Sequence, residues 1–467
     1  MAKKLKLRGK DLLRLGYPEG KVIGLAINLM LENYRREDLG SVLGLLSSVL
    51  NEPEKYRNDP VLGRIVAELH PPQREPVDCL ALEDRALDYP VYGSGGIEAG
   101  AHRQMEVAMR LPVAVAGALM ADAHQGYGLP IGGVLATENA VIPYGVGVDI
   151  GCRMCLTLYD HPSTMLDEKR EQLTRMLGAH TRFGQDEFDR PYDDPIFDRP
   201  EFDEIPIAKQ LKQRARKQIG TSGSGNHFVE FGLVRLVDPG NELGLPAGEY
   251  LALLSHSGSR GLGANIARHY TKLAMERCPL PKEAKHLAWL SLDSEEGMEY
   301  WLAMNLAGDY ASACHHHIHR RIAEALGRSP LAMVENHHNF AWREIQPDGR
   351  ELIVHRKGAT PAQKGVLGVI PGSMIAPGYI VRGRGEGAAL QSASHGAGRV
   401  MSRTVARNSI TRYELKKVLE ENGVSLLGGG LDEAPMAYKD IAEVMRAQES
   451  LVEVVGTFHP RIVRMDD

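Results

Sequence analysis

Cysteine is scarce in this chain: five thiols in 467 residues (Cys79, Cys152, Cys155, Cys278, Cys314) are too few and too scattered for a disulfide framework, and read as reduced groups available to metal. Excess positive charge is missing too. With 55 Lys and Arg against 60 Asp and Glu, the net charge is −5, which argues against coating nucleic acid by bulk electrostatics and confines any RNA contact to a local basic groove. No apolar run is long enough to span a bilayer, and the basic start, Met1–Lys10, lacks both an apolar stretch and a small-residue cleavage site. A cytoplasmic protein without membrane contact is expected. No Gly-Lys-Ser/Thr occurs anywhere, so there is no P-loop, and a bound nucleotide needs another device to hold it. Internal repeats and low-complexity segments are absent as well.

What is present is an ordinary globular composition, 43% hydrophobic and 25% charged. Residues 1–75 carry a helical pattern, Val22 to Ile27 and then Leu43, Leu45, Leu46, Val49 and Leu50, and predict a small helical appendage closed by Pro71-Pro72-Gln73. From 76 to 467 short apolar runs alternate with glycine-rich turns, which predicts an α+β core of mixed strands and helices. The acidic, proline-punctuated stretch from Asp186 to Glu204 reads as a surface loop. The basic stretch after it (Lys209, Lys212, Arg214, Arg216, Lys217) reads as a solvated helix face.

Histidines are the informative residues, because several sit in glycine-rich turns. Gly223-Ser224-Gly225-Asn226-His227 precedes the strand-like alternation Phe228, Val229, Phe231, Val234. His256 ends the apolar run Tyr250–Leu254 and enters Ser257-Gly258-Ser259-Arg260-Gly261. His337-His338-Asn339 supplies a third position, and Ser394-His395-Gly396-Ala397-Gly398-Arg399 a fourth, where small neighbours leave room for a phosphate ester. Asp149 and Cys152 offer a carboxylate and a thiol three residues apart in one glycine-rich loop. Imidazole, thiolate and carboxylate together are a transition-metal ligand mixture, whereas each histidine alone is equally a hydrogen-bonded turn residue. Cys152-Arg153-Met154-Cys155 lacks a thioredoxin-like context, and Cys155 reads as core. His315-His316-His317 with His319 has i, i+4 metal spacing but lies in an alanine-rich helix, and reads as a polar face.

These motifs resemble the RtcB-type RNA ligases from about residue 80 to 455. The resemblance rests on Asp122–Gly128, Gly145–Cys152, Gly223–Phe228, His256–Gly261, His337–Asn339, His355–Ala359, Pro371–Met374, Ser394–Arg399 and Ala437–Ile441. It implies one large layered domain with a metal cleft between sheets, as a monomer or weak dimer. It implies two Mn²⁺ ions bridged by Cys152, one completed by His227 and His256 and the other by Asp149 and His338. His395 is then the nucleophile that takes GMP from GTP. Asn226, Ser373, Gly396, Ala397 and Gly398 lie along the phosphates and sugar, Phe228, Glu230 and Tyr438 around the base. Arg260, Arg356 and Arg399 are cationic candidates for RNA or triphosphate, or else residues that hold loops together. The implied reaction joins RNA 2',3'-cyclic phosphate or 3'-phosphate ends to 5'-hydroxyl ends, in RNA repair or tRNA splicing, with an archease-like activator as a possible partner. The chain departs from the family pattern at Ile375, at Gly378 where a base-contacting serine usually stands, at its Arg464-Met465-Asp466-Asp467 end, and at Cys314-His315 in place of an Asn-Arg pair. These departures keep an alternative open, a manganese-dependent phosphoesterase or RNA end-processing paralogue with altered nucleotide specificity.

Overall fold

The computed structural model describes residues 7–18, 20–34, 37–70, 79–190, 193–237, 239–346 and 349–466. The chain divides into two compact units, Met1–Val77 and Asp78–Asp467. The boundary expected near residue 75 lies outside the described residues.

The first unit is helical, with Gly9–Leu15, Lys21–Asn33, Leu39–Asn51, Pro53–Tyr56 and Gly63–Leu69. Its apolar stripes close on a core of their own that includes Leu12, Ala26, Met30, Leu46 and Ile65, all without solvent exposure. Asp38 caps the third helix: its Oδ1 accepts from Gly40 N (2.8 Å) and Ser41 N (3.1 Å), engaging two of the first-turn amides that have no intrahelical acceptor.

The second unit is an α+β assembly around two antiparallel sheets. A four-stranded sheet runs in the order Ala114–His124, Ile131–Thr137, Glu351–Lys357, Asn339–Ile345. An eight-stranded sheet runs Leu367–Ile370, Gly378–Gly383, Val452–Met465, Phe228–Leu236, Gly248–Ser257, Arg153–Tyr159, Pro330–His337, with Ser425–Leu427 added parallel to Val452–Met465. The large sheet is buried on both faces. Met154, Leu156 and Leu158 pack on one side with Val234 and Phe458, while Tyr159 joins the other side with Phe231, Leu253 and Ile318. A strand covered on both faces reads as a continuous apolar run, as Met154–Tyr159 does.

Register is what makes the site. Phe228 pairs with His256, and Arg153 pairs with Ser257 on one side and with His337 on the other. The start of Phe228–Leu236, the end of Gly248–Ser257, the start of Arg153–Tyr159 and the end of Pro330–His337 therefore meet at one sheet edge. The residues just outside them, His227, Cys152 and His338, come together there with His256.

Two local expectations are corrected. The Asp186–Glu204 stretch is not wholly a surface loop, because Ile196, Phe197 and Phe202 enter the core and Asp194 Oδ2 lies 2.7 Å from His317 Nε2. Nor do the 315–319 histidines form a polar face: His315, His317 and His319 are 0, 2 and 1% exposed, because that side of the Glu295–Leu326 helix lies on the core.

Candidate active site

Every residue proposed from sequence for metal, nucleotide or nucleophile lines one cavity of about 660 Å³: Asp149, Cys152, Asn226, His227, Phe228, Glu230, His256, His338, Ser373, His395, Gly396, Ala397, Gly398 and Tyr438. Arg260 and Arg399 line it as well. Arg356 does not. Its guanidinium is fully buried and donates to Glu344 Oε1 (2.7 Å), Ser392 Oγ (2.7 Å) and the Leu390 carbonyl (2.8 Å), so it braces the fold.

At the sheet edge, Cys152 Sγ stands 3.2 Å from His256 Nε2 and 3.4 Å from His227 Nε2. His256 Nε2 and His338 Nε2 face each other at 3.2 Å. His256 Nδ1 donates to the Asn226 carbonyl at 2.9 Å, which leaves the lone pair on Nε2, pointing inward. Asp149 Oδ2 lies 3.0 Å from His227 Nε2 yet is buried without a hydrogen bond, while Asp149 Oδ1 accepts from Ser259 N at 3.1 Å. Two triads result, Cys152–His256–His338 and Asp149–Cys152–His227, sharing the thiol. This differs from the implied pairing of His227 with His256 and of Asp149 with His338. All the donor atoms crowd around one sulfur, so displacements below an ångström decide which ring joins which triad.

The electrostatics suit a cation. Burial pushes His256 down to about 3, aided by the neighbouring His227. Burial and four neighbouring histidines, His395 first among them, hold His338 well below its ordinary range. Both rings are thus neutral ligands. Burial alone would raise the Asp149 carboxyl, but His227 beside it brings it to about 2. The Cys152 thiol is driven up by burial and by Asp149, a combination that a divalent ion reverses by binding thiolate. Converging lone pairs, an unpartnered buried carboxylate oxygen and a thiol fit a divalent metal.

His395 stands beside this cluster, its ring centroid 4.9 Å from that of His338. Its Nδ1 is 2.6 Å from Asp122 Oδ2, which also accepts from His395 N (3.0 Å) and Gly396 N (3.2 Å). Asp122 is fully buried near the end of the Ala114–His124 strand. Burial would raise its carboxyl, but His395 opposite overcomes that and leaves it below the usual range. An ionised carboxylate on Nδ1 fixes the imidazole tautomer and presents Nε2 as the free base. Gly398, at φ 72°, passes close over this strand: a Cβ there would lie 2.1 Å from the Asp122 carbonyl oxygen.

One of the base-side candidates, Tyr438, sits in a second, charged cluster. Tyr438 Oη makes a short hydrogen bond to Glu433, the Arg399 guanidinium lies 5.1 Å over the Tyr438 ring, and Arg403 pairs with Asp432 and Glu433. Glu230, 4% exposed, is pushed well above the ordinary carboxylate range by burial. Of the positions where the chain departs from pattern, Gly378 and Met465 line the cavity.

Asp122, Lys357 and Arg403 were not singled out as site residues from sequence. The signal for Asp122 was a lone acid inside the apolar run Ala118–Ala123. Lys357 lines the cavity, is 8% exposed, donates to the Tyr127 carbonyl at 2.5 Å, and is lowered to about 7 by burial.

A histidine held by a buried carboxylate beside a thiol–imidazole–carboxylate set that suits a divalent ion is an enzyme-like arrangement. The chain belongs to the RtcB family: the family model described as tRNA-splicing ligase RtcB matches residues 104–205 and 197–466. It is 34% identical over 394 residues to the RNA-splicing ligase RtcB of Escherichia coli (strain K12), covering 77% of this chain and 93% of that protein. It is 31% identical to the RNA-splicing ligase RtcB homolog 1 of Entamoeba dispar, covering 77% of this chain and 81% of that protein. With the tRNA-splicing ligase RtcB of Nanoarchaeum equitans the identity is 30%, over 73% of this chain and 86% of that protein. No helix among the described residues is long and apolar enough to cross a membrane.

Proposed function

We propose that this protein is an RNA ligase that uses GTP and two Mn²⁺ ions to join an RNA 2',3'-cyclic phosphate or 3'-phosphate end to a 5'-hydroxyl end, through GMP carried on His395. The observation that carries this reading is the Asp122–His395 pair, 2.6 Å apart, opening beside the Cys152-centred ligand set.

Asp122 holds the proton on His395 Nδ1, so that Nε2 attacks the α-phosphorus of GTP with its lone pair and pyrophosphate departs. Cys152, Asp149, His227, His256 and His338 would hold the divalent ions. When bound, such ions offset the phosphate charge and stabilise the leaving group. Manganese is favoured over zinc by the family and by the oxygen donor Asp149. Glu230, buried in the cavity and inclined to keep its proton, gains a partner for its ionised form when a purine N–H edge enters. Phe228 and Tyr438 would flank the base, and Asn226, Ser373 and the Gly396–Gly398 backbone would meet the phosphates; all of them line the cavity. Water first opens a 2',3'-cyclic phosphate end to the 3'-phosphate; the RNA 3'-phosphate then displaces His395 from GMP, and the 5'-hydroxyl attacks the activated end, releasing GMP. Arg399 and Arg260 supply cationic donors along the cavity.

The test is transfer of label from α-phosphate-labelled GTP to the protein, with Mn²⁺ present. Label is expected on the wild type, and ATP in place of GTP reports base selectivity where Gly378 and Met465 line the cavity. Cleavage of phosphate esters without any label on the protein would favour the phosphoesterase reading instead.

A further inference from the structure

Behind the sheet edge lies a second group of soft donors that the ligase reading does not use. Cys155 is opposite Ser255 on one neighbouring strand and Glu335 on the other. The Glu295–Leu326 helix lays His315 and His319, one turn apart, against this patch. Cys155 Sγ and one ring nitrogen from each histidine lie within 4.8 Å of one another. Cys155 and His315 are 0% exposed and His319 1%.

Hydroxyls surround the rings. Ser255 Oγ is 2.6 Å from His315 Nδ1 and 2.8 Å from His319 Nε2, and Thr157 Oγ1 is 2.6 Å from His319 Nδ1. Hydrogen bonding alone leaves this cluster incomplete. Cys155 is buried and forms no hydrogen bond among the described residues. A buried polar group in that condition calls for a ligand. Glu335, the nearest carboxylate on the facing strand, is already engaged by Arg153 at 3.1 Å and Ser312 at 3.2 Å, which leaves the sulfur and the two ring nitrogens that share Ser255 Oγ as the converging donors.

We propose that Cys155, His315 and His319 bind a structural Zn²⁺ ion, with Ser255 Oγ as the fourth donor, separate from the metals at Cys152. A thiolate with two imidazoles is a zinc-selecting set, and a closed four-coordinate shell is the structural form of such a site. Thr157 on His319 Nδ1 is then the outer hydroxyl that orients a coordinated imidazole. A loaded tetrahedron has oxygen–nitrogen edges of roughly 3.3 Å, so Ser255 withdraws by about half an ångström on loading. The ion enters as the chain folds, since the cluster is closed to solvent, and the Cys155 thiol loses its proton to the medium on binding. It fastens the helix to the two strands that end in the active site: Cys155 is on the strand that Cys152 leads into, and Ser255 immediately precedes His256.

This inference does not depend on the ligase reading and is tested without any activity. Protein produced with zinc is dialysed against a mild chelator to strip exchangeable ions, and its metal content is measured by mass spectrometry. Wild type and a Cys152→Ser/His338→Ala variant are each expected to retain one equivalent of zinc, and a Cys155→Ser/His319→Gln variant none. Should the last variant fold poorly, Co²⁺ reconstitution of the Cys152→Ser protein decides the matter. It should show a thiolate-to-cobalt absorption band that can come only from another cysteine, and that disappears on adding Cys155→Ser. Equal zinc in all three proteins, no zinc in the Cys152→Ser/His338→Ala protein, or no thiolate band in the Cys152→Ser protein would overturn the proposal.

Discussion

Replacing Asp122 with Asn probes the reactive histidine without touching it. Asp122 Oδ2 accepts three N–H groups, from His395 Nδ1 at 2.6 Å, His395 N at 3.0 Å and Gly396 N at 3.2 Å. An amide oxygen can keep the two backbone contacts, but the negative charge is gone. Hydrogen bonds to a charged group are worth about 1.5–3 kcal/mol, which as lost transition-state stabilisation is roughly 10- to 150-fold in rate. The amide NH₂ can also turn toward Nδ1 and donate, which places the imidazole proton on Nε2 and removes the attacking lone pair; in serine proteases the same change costs about 10⁴-fold. Guanylylation of Asp122→Asn is therefore expected to be about 10²- to 10⁴-fold slower, with bound metal unchanged and partial rescue by Asp122→Glu. Single-turnover formation of the protein–GMP adduct, followed by intact mass, measures it. The carboxyl is held below its usual range, so Asp122 stays ionised above pH 5 and contributes no inflection to the wild-type profile there. A folded Asp122→Asn protein guanylylated within threefold of wild type would refute the reasoning.

Gly258→Ala should loosen the metal centre, because its Cβ would fall 2.1 Å from Asp149 Oδ2; a 10- to 100-fold weaker Mn²⁺ titration is expected, and an unchanged one would show that Asp149 is not a ligand. Lys357 is lowered to about 7 by burial, whereas an unfolded lysine keeps its proton to about 10.4. Between those values the unfolded chain binds one more proton, so stability rises with pH, the penalty in the folded state being complete below pH 7 and on the order of 4 kcal/mol. Thermal melts of Lys357→Met between pH 6 and 10 should lose that rise, and a slope equal to wild type would contradict it. Arg356→Met should destabilise by about 3–5 kcal/mol, as expected when Glu344 is left without its buried partner. Chemical denaturation measures this, and a stable variant with selectively weak RNA binding would restore Arg356 as a substrate contact.

That Asp149, Cys152, His227, His256, His338 and His395 share one site was legible because glycine-rich turns at strand ends marked them, and the antiparallel register then brought four strand ends to one edge. How the donor atoms group around Cys152 was not legible, since its Sγ is about equally close to His227 and His256, at 3.4 and 3.2 Å, and sequence carries no distances. For Arg356 the sequence left substrate contact and loop brace open, because a charge inside a functional motif fits either until its burial is known. The histidines of the long helix were misread through composition. Ala311, His315, Ile318 and Ile322 recur at helical spacing and are all buried, so the apolar stripe was present but the run of histidines obscured it. Asp122 was quoted within a motif but given no role, although an acid amid Leu119-Met120-Ala121 and Ala123 already implied a buried partner.

The most direct test of the central claim is intact mass of the purified protein after incubation with GTP and Mn²⁺, followed by peptide mapping, on the wild type and on His395→Ala. One GMP is expected on the wild type, located at His395, and none on the variant. A wild type that binds metal but gains no GMP, or an adduct that persists in His395→Ala, would contradict it.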